Sequence, residues 1–208
     1  MNPEPDSNIS NNEALTDIQF SDIFILEDIQ RMQDLFSEAT GVASIITHPD
    51  GTPITQPSNF TRLCSSIIRK TEIGCSNCFQ SDSAIGGQNL TGLTVQHCLS
   101  GILWDAGVSI TVGGKHFANW LIGQVRDPEI DEFRMIQYAD EIGANREEFR
   151  KALMEVPVMS VGKLQKVAEM LFVFTNDLSE KAYHNMQLNK EIAERERKTE
   201  LLRQSESL

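Results

Sequence analysis

Apolar residues recur at three- and four-residue steps through Leu26, Ile29, Met32, Leu35 and Phe36, so the stretch LTDIQFSDIFILEDIQRMQDLFSEATG predicts an amphipathic helix that Gly41 terminates. The period then changes. VASIITHPDGTPITQP reads as two short β-rich runs joined by a Pro49-Asp50-Gly51 turn. Helical spacing returns in Asn59 to Lys70, where Phe60, Leu63, Cys64, Ile67 and Ile68 share a face, and a second helix is predicted to start at Cys75 and stop at Gly86-Gly87. LTVQHC, ILWDAGVSITVGG and KHFANWLIGQV alternate as strands, and their short connections require antiparallel pairing. EIDEFRMIQYADEIG and NREEFRKALMEVP are helices ended by glycine and by proline, and one long helix runs from near Ser160 to the end. Its heptad seam weakens along its length: Leu171, Leu178, Asn185, Ile192 and Thr199 at d, Ala168, Thr175, Ala182, Asn189 and Glu196 at a. The predicted class is α/β (α+β), an antiparallel sheet flanked by helices with a long C-terminal helix. Residues 1–15 read as a disordered lead, 16–160 as one domain and 161–208 as the helix that leaves it.

Charge narrows the partners. Thirty acidic against 18 basic residues give a net charge of -12, which argues against nucleic acid, since phosphate binding needs clustered Lys and Arg. No apolar run is long enough to span a bilayer, and MNPEPDSNISNNE lacks the basic start and apolar core of a signal peptide, so a cytoplasmic location without a membrane partner is expected.

All four cysteines, Cys64, Cys75, Cys78 and Cys98, fall within one window, and Cys75 and Cys78 form a Cys-x-x-Cys. In a reducing compartment such clustering favours a metal or redox role over disulfides. Zinc and a [4Fe–4S] cluster both accept four thiolates, and the spacing does not choose between them. Two other readings stay open: Cys64 and Cys98 as small buried hydrophobes beside an occasional Cys75–Cys78 redox pair, and a thiol switch without metal.

The order Cys64, Gly74-Cys75-Ser76-Asn77-Cys78, Ser81-Asp82, Cys98-Leu99-Ser100-Gly101 and Leu121-Ile122-Gly123-Gln124-Val125 resembles the PocR sensory domain, over roughly Ile29 to Leu178. Many members carry His directly after the fourth cysteine, whereas here Leu99 follows it and His97 precedes it. The resemblance implies a PAS-like ligand-sensing domain of a histidine kinase or transcription regulator, binding small organic compounds such as short diols in a cavity between sheet and helices. Alternation puts Ile102, Trp104, Ala106, Val108 and Ile110 on one face and Leu103, Asp105, Gly107 and Ser109 on the other; Phe117, Asn119, Leu121 and Gly123 share a face opposite Trp120 and Ile122. The candidate ligand residues are Ile102, Trp104, Asp105, Phe117, Asn119 and Trp120, with Asp105 notable as a carboxylate in an apolar strand.

Enzyme signatures are missing from the sequence: no nucleophile elbow, Walker loop or Gly-x-Gly-x-x-Gly after a strand. The expected role is therefore a non-catalytic input domain, homodimeric through its C-terminal helix and coupled to a downstream module. A redox or oxygen sensor whose four-cysteine site is itself the input is the alternative, and a thiol oxidoreductase using Cys75 and Cys78 a third.

Overall fold

Strand alternation organises the core. The computed structural model describes residues 18–87, 89 and 91–206, and the predicted disordered lead lies outside them. In it β1 (Ala43–Thr47), β2 (Leu93–His97), β3 (Trp104–Val112) and β4 (Lys115–Val125) form one antiparallel sheet in the order β1-β4-β3-β2. On one face Ala106, Val108, Ile110, Trp120 and Ile122 pack with the long helix α6 (Val161–Glu206) and the first helices, α1 (Phe20–Ile23) and α2 (Leu26–Thr40). On the other face Ile45 and Leu121 meet Ile85 of α3 (Glu72–Gly87). The pair α4 (Glu132–Glu141) and α5 (Arg146–Glu155) closes that side against Leu63, Cys64 and Ile68.

Two β-bulges interrupt the alternation. Ile110 pairs with Ala118 and Thr111 with His116, which makes Phe117 an extra residue. The expected grouping of Phe117 with Asn119 is thereby corrected: Phe117 packs in the core on the α6 side. At the other end of the strands Trp104 pairs with Val125 and Asp105 with Gly123, so Gln124 is extra and sits at φ 54.

Other elements depart from their predicted form for identifiable reasons. The first helix breaks at Phe24, which is extended, and then restarts at Leu26. Its docked line is Ile29, Gln33 and Ser37 rather than the full apolar stripe, and Leu35 stays 56% exposed. Gln33 takes the inward place because its amide donates to Gln56 O at 2.8 Å and Ser58 Oγ at 2.6 Å. Gly41 does stop the helix, in the left-handed conformation. The second β run after Gly51 makes only isolated bridges, Thr47 with Pro53 and Ser44 with Ser58; Pro53 and Pro57 have no N–H to extend a ladder. Residues 59–70 form no α-helix but a π turn, Leu63–Ile67, and a 3-10 turn, Ile68–Lys70.

Helix α3 begins at Glu72, with Thr71 Oγ1 accepting the Gly74 N–H at 3.0 Å, so Cys75 lies inside its first turns and not at its start. Helix α6 starts at Val161, where Ser160 Oγ accepts the Lys163 N–H at 3.3 Å. Leu164, Ala168, Leu171, Thr175 and Ala182 are buried in its first half, and residues 187–205 are exposed throughout.

Candidate functional site

Motif residues from separate chain segments meet in one cavity of about 50 Å3 between the β1–β4–β3 face, α3 and the π turn. Its lining takes Cys64 from the π turn and Arg69 from the 3-10 turn that follows it, Asn77, Cys78, Ser81 and Asp82 from α3, Cys98 and Ser100 from the β2–β3 loop, Asp105 from β3, and Gly123 and Gln124 from β4. Tyr138 of α4 and Phe60 complete the wall.

The bulge at Gln124 determines how these pieces meet. Its backbone N–H donates to Asp105 Oδ1 at 2.7 Å, and its side-chain Oε1 accepts from Thr61 N at 2.8 Å and Thr61 Oγ1 at 3.0 Å. A strained residue at a site needs surroundings that hold it in place; here Asp105 and Thr61 do so, and Gln124 in turn fixes the start of the segment that delivers Cys64 and Arg69. A π turn is a wider coil than an α turn, and such turns recur at functional sites. Across the cavity, Ser81 Oγ accepts the Leu99 N–H at 2.9 Å, joining α3 to the loop that carries Cys98 and Ser100.

Arg69 is the cationic centre. Its guanidinium lies 5.1 Å from the Phe60 ring centroid and 5.8 Å from that of Phe79, and its Nη2 donates to Asp82 Oδ2 at 2.8 Å. Both side chains of this ion pair are more than four-fifths buried. Nε of Arg69 is enclosed and has no hydrogen-bond partner, which is costly for a cationic donor unless something else fills the role.

Burial governs the acids and thiols. It outweighs the pull of Arg69 and lifts the Asp82 carboxyl to about 6. Asp105 keeps accessible surface only in part, and as a lining residue it opens on the cavity; burial lifts it to about 7 against the hydrogen bond from Gln124. Burial pushes the Cys78 thiol up to about 12 and raises Cys64 and Cys98 in the same direction.

Of the four cysteines, three line the cavity and Cys75 does not. Among the described residues no group of three or more His, Cys, Asp or Glu side chains stands where it could hold a metal ion. Three thiols border the cavity and Cys75 stands apart, so as arranged the four do not form the convergent four-sulfur set that zinc or an iron–sulfur cluster takes.

The other candidate residues are dispersed. Trp120 is fully buried, donates from Nε1 to Ser44 Oγ at 2.9 Å and packs between Phe36 and Phe174. Trp104 donates to Asp127 Oδ2 at 2.8 Å and stacks on His97 with centroids 3.7 Å apart. Ile102 packs against the α4–α5 cluster and Phe117 against the α6 side. Asn119 is buried beside Gly86, donates to His48 O at 3.2 Å, and its Oδ1 lies 2.7 Å from His116 Nε2. Only Asp105 of the six lines the cavity.

Arg69, Asp82, Tyr138 and Gln124 enter the site without having been singled out for it. Asp82 carried a usable signal, since it falls one helical turn after Cys78 and so shares its face. Arg69 carried a weaker one, its place among the cysteines whose charge it could offset, which it shares with Arg62 and Lys70, and a basic residue on a short amphipathic stretch is ordinarily solvated.

Among the described residues no helix is long and apolar enough to cross a membrane. Neither a curated protein nor a solved structure matches the chain. A family model does, the one described as the sensory domain found in PocR, and it matches residues 22–183 of the 208, a span that includes every residue of the cavity. The chain belongs to the PocR sensory-domain family.

Proposed function

We propose that this sensory domain takes a small polar organic molecule into the cavity between the sheet and α3 and passes its occupancy to α6 through the sheet. The observation that carries the reading is the convergence of residues from the π turn, α3, the β2–β3 loop, β3 and β4 on one half-open cavity. A water needs roughly 10–15 Å3 of such space, so about 50 Å3 suits a molecule of about four or five non-hydrogen atoms. Strand β3 is the natural relay: Asp105 and Gly107 face the ligand side, and Ala106 and Val108 belong to the core that holds Leu164, Ala168 and Leu171 of α6. Thiols held protonated make poor nucleophiles, which supports an input role over thiol chemistry.

Calorimetric titration with small alcohols, aldehydes and amino alcohols tests the reading. At least one is expected to bind the wild type. An Ile45→Phe variant, which enlarges a side chain on the cavity wall, is expected to weaken that ligand by more than about tenfold with its circular dichroism unchanged. Equal affinity in the variant would remove the cavity from the mechanism.

The output half of α6 supports a second element of the proposal, pairing with another copy and onward connection to a signalling module. Leu188, Ile192 and Leu202 are 42%, 52% and 63% exposed on a stretch, residues 187–205, that is exposed throughout. A solvated helix of this kind gains stability by burying such residues against a partner. Sedimentation equilibrium at about 100 μM, where weak coiled coils associate, is expected to give twice the chain mass; a monomer at that concentration would sink the pairing.

A further inference from the structure

We infer that the cavity selects a small organic cation, and specifically a protonated amino alcohol, over neutral or anionic molecules of the same size. The inference rests on the cavity being the ligand site and concerns the charge of what enters it.

Charge counting carries it. At pH 8 three side chains lining the space carry a full charge: the guanidinium of Arg69 and the carboxylates of Asp82 and Asp105. Arg69 and Asp82 are in contact at 2.8 Å and neutralise each other. Asp105 is left without a counter-ion, since none of the ion pairs among the described residues includes it; its Oδ1 accepts one backbone N–H, that of Gln124, and Cys98 supplies only a neutral thiol. An enclosed carboxylate with no cation is an expensive arrangement. A ligand carrying one positive charge completes the balance, whereas a carboxylate ligand would set three acids against one guanidinium. The chain's net charge of -12 also favours the approach of a cation.

The second functional group follows from Arg69. Its guanidinium lines the cavity and carries only N–H donors, so it calls for an acceptor, which an ammonium is not and a hydroxyl oxygen is. An ammonium for Asp105 and a hydroxyl oxygen for Arg69, in a molecule of about four non-hydrogen atoms, define a short amino alcohol.

Calorimetry at pH 8 with ethanolamine, ethylene glycol and glycolate tests the assignment on the unmodified protein, because the three differ in charge far more than in size. Ethanolamine is expected to bind at least about tenfold more tightly than ethylene glycol, the margin of a charge-assisted over a neutral hydrogen bond, and glycolate to bind weakest. In Asp105→Asn ethanolamine is expected to lose its advantage, the ratio of its affinity to that of ethylene glycol falling to within about threefold. Ethylene glycol or glycolate binding as tightly as ethanolamine in the wild type would overturn the cation assignment and leave the cavity reading standing. Failure of all three to bind would overturn the amino-alcohol assignment alone, since the cavity reading is decided by the wider titration and by Ile45→Phe.

Discussion

An Asp105→Asn variant is expected to be more stable than the wild type at pH 8 by on the order of 2–4 kcal/mol, and to match it near pH 4. In the folded protein burial holds the Asp105 carboxyl at about 7, against roughly 3.9 in an unfolded chain. Between those two values the folded state keeps a proton that the unfolded state has released. The stability tied to that proton is complete below the unfolded value and disappears as pH rises through the folded one. A displacement of about three units corresponds to roughly 4 kcal/mol, and the surface Asp105 keeps toward the cavity reduces that figure, hence the lower bound. Asparagine cannot ionise and retains an oxygen for the Gln124 N–H, so it escapes the loss.

The groups facing Asp105 are Cys98 from the loop, Cys64 from the π turn, Cys78, Arg69 and Asp82 across the cavity, and the Gln124 backbone. Asp82, held at about 6, stays in the variant and keeps a smaller slope in the same direction between about pH 4 and 6. Urea denaturation followed by tryptophan fluorescence at several pH values reads both effects. Wild-type and variant stabilities that run parallel from pH 4 to 8 would show that Asp105 is not held protonated by its surroundings.

The same residues explain which parts of the molecule the sequence made legible. Alternation in β3 placed Ala106, Val108 and Ile110 opposite Asp105, Gly107 and Ser109 correctly, because each of those residues responds to its own strand's two-residue period. The helix stops at Gly41 and the start of α6 after Ser160 were equally local. The bulges were not. Whether Phe117 or Gln124 is an extra residue depends on the register of the facing strand, and one residue of offset moves a side chain to the other face. The π turn is further removed still: Thr61 is held by Gln124, 63 positions away, and nothing within residues 59–70 announces it. The cysteine window marks the region in which the cavity lies, for three of its thiols line it. Its chemistry was the part that spacing could not supply, because the spacing records neither the burial that keeps the thiols protonated nor the Arg69–Asp82 pair lodged among them.

Gly123→Ala is expected to cost about 3 kcal/mol or more in stability and to abolish ligand binding in whatever fraction remains folded. Gly123 sits at φ 151, a conformation that L side chains rarely adopt. A Cβ there would also lie 2.6 Å from Asp105 Cα and 2.7 Å from Trp104 O, and closest of all to Asp105 Oδ1. Two of those neighbours belong to the backbone of the central strand, which cannot swing aside as a flexible side chain would. The strands must therefore part where the bulge begins, and the Gln124 N–H loses its place on Asp105. Once Gln124 turns, Thr61 is released, and with it the turn carrying Cys64 and Arg69 into the cavity. Gly114→Ala is the matched control: that glycine also has a positive φ, 84, but a Cβ on it meets nothing within 4 Å. It is expected to lose only the conformational cost of about 1 kcal/mol and to bind ligand as the wild type does. Equal losses in the two variants would mean that left-handed backbone strain alone sets the cost; a large loss confined to Gly123→Ala assigns it to the junction where Asp105, Gln124 and Thr61 hold the cavity together.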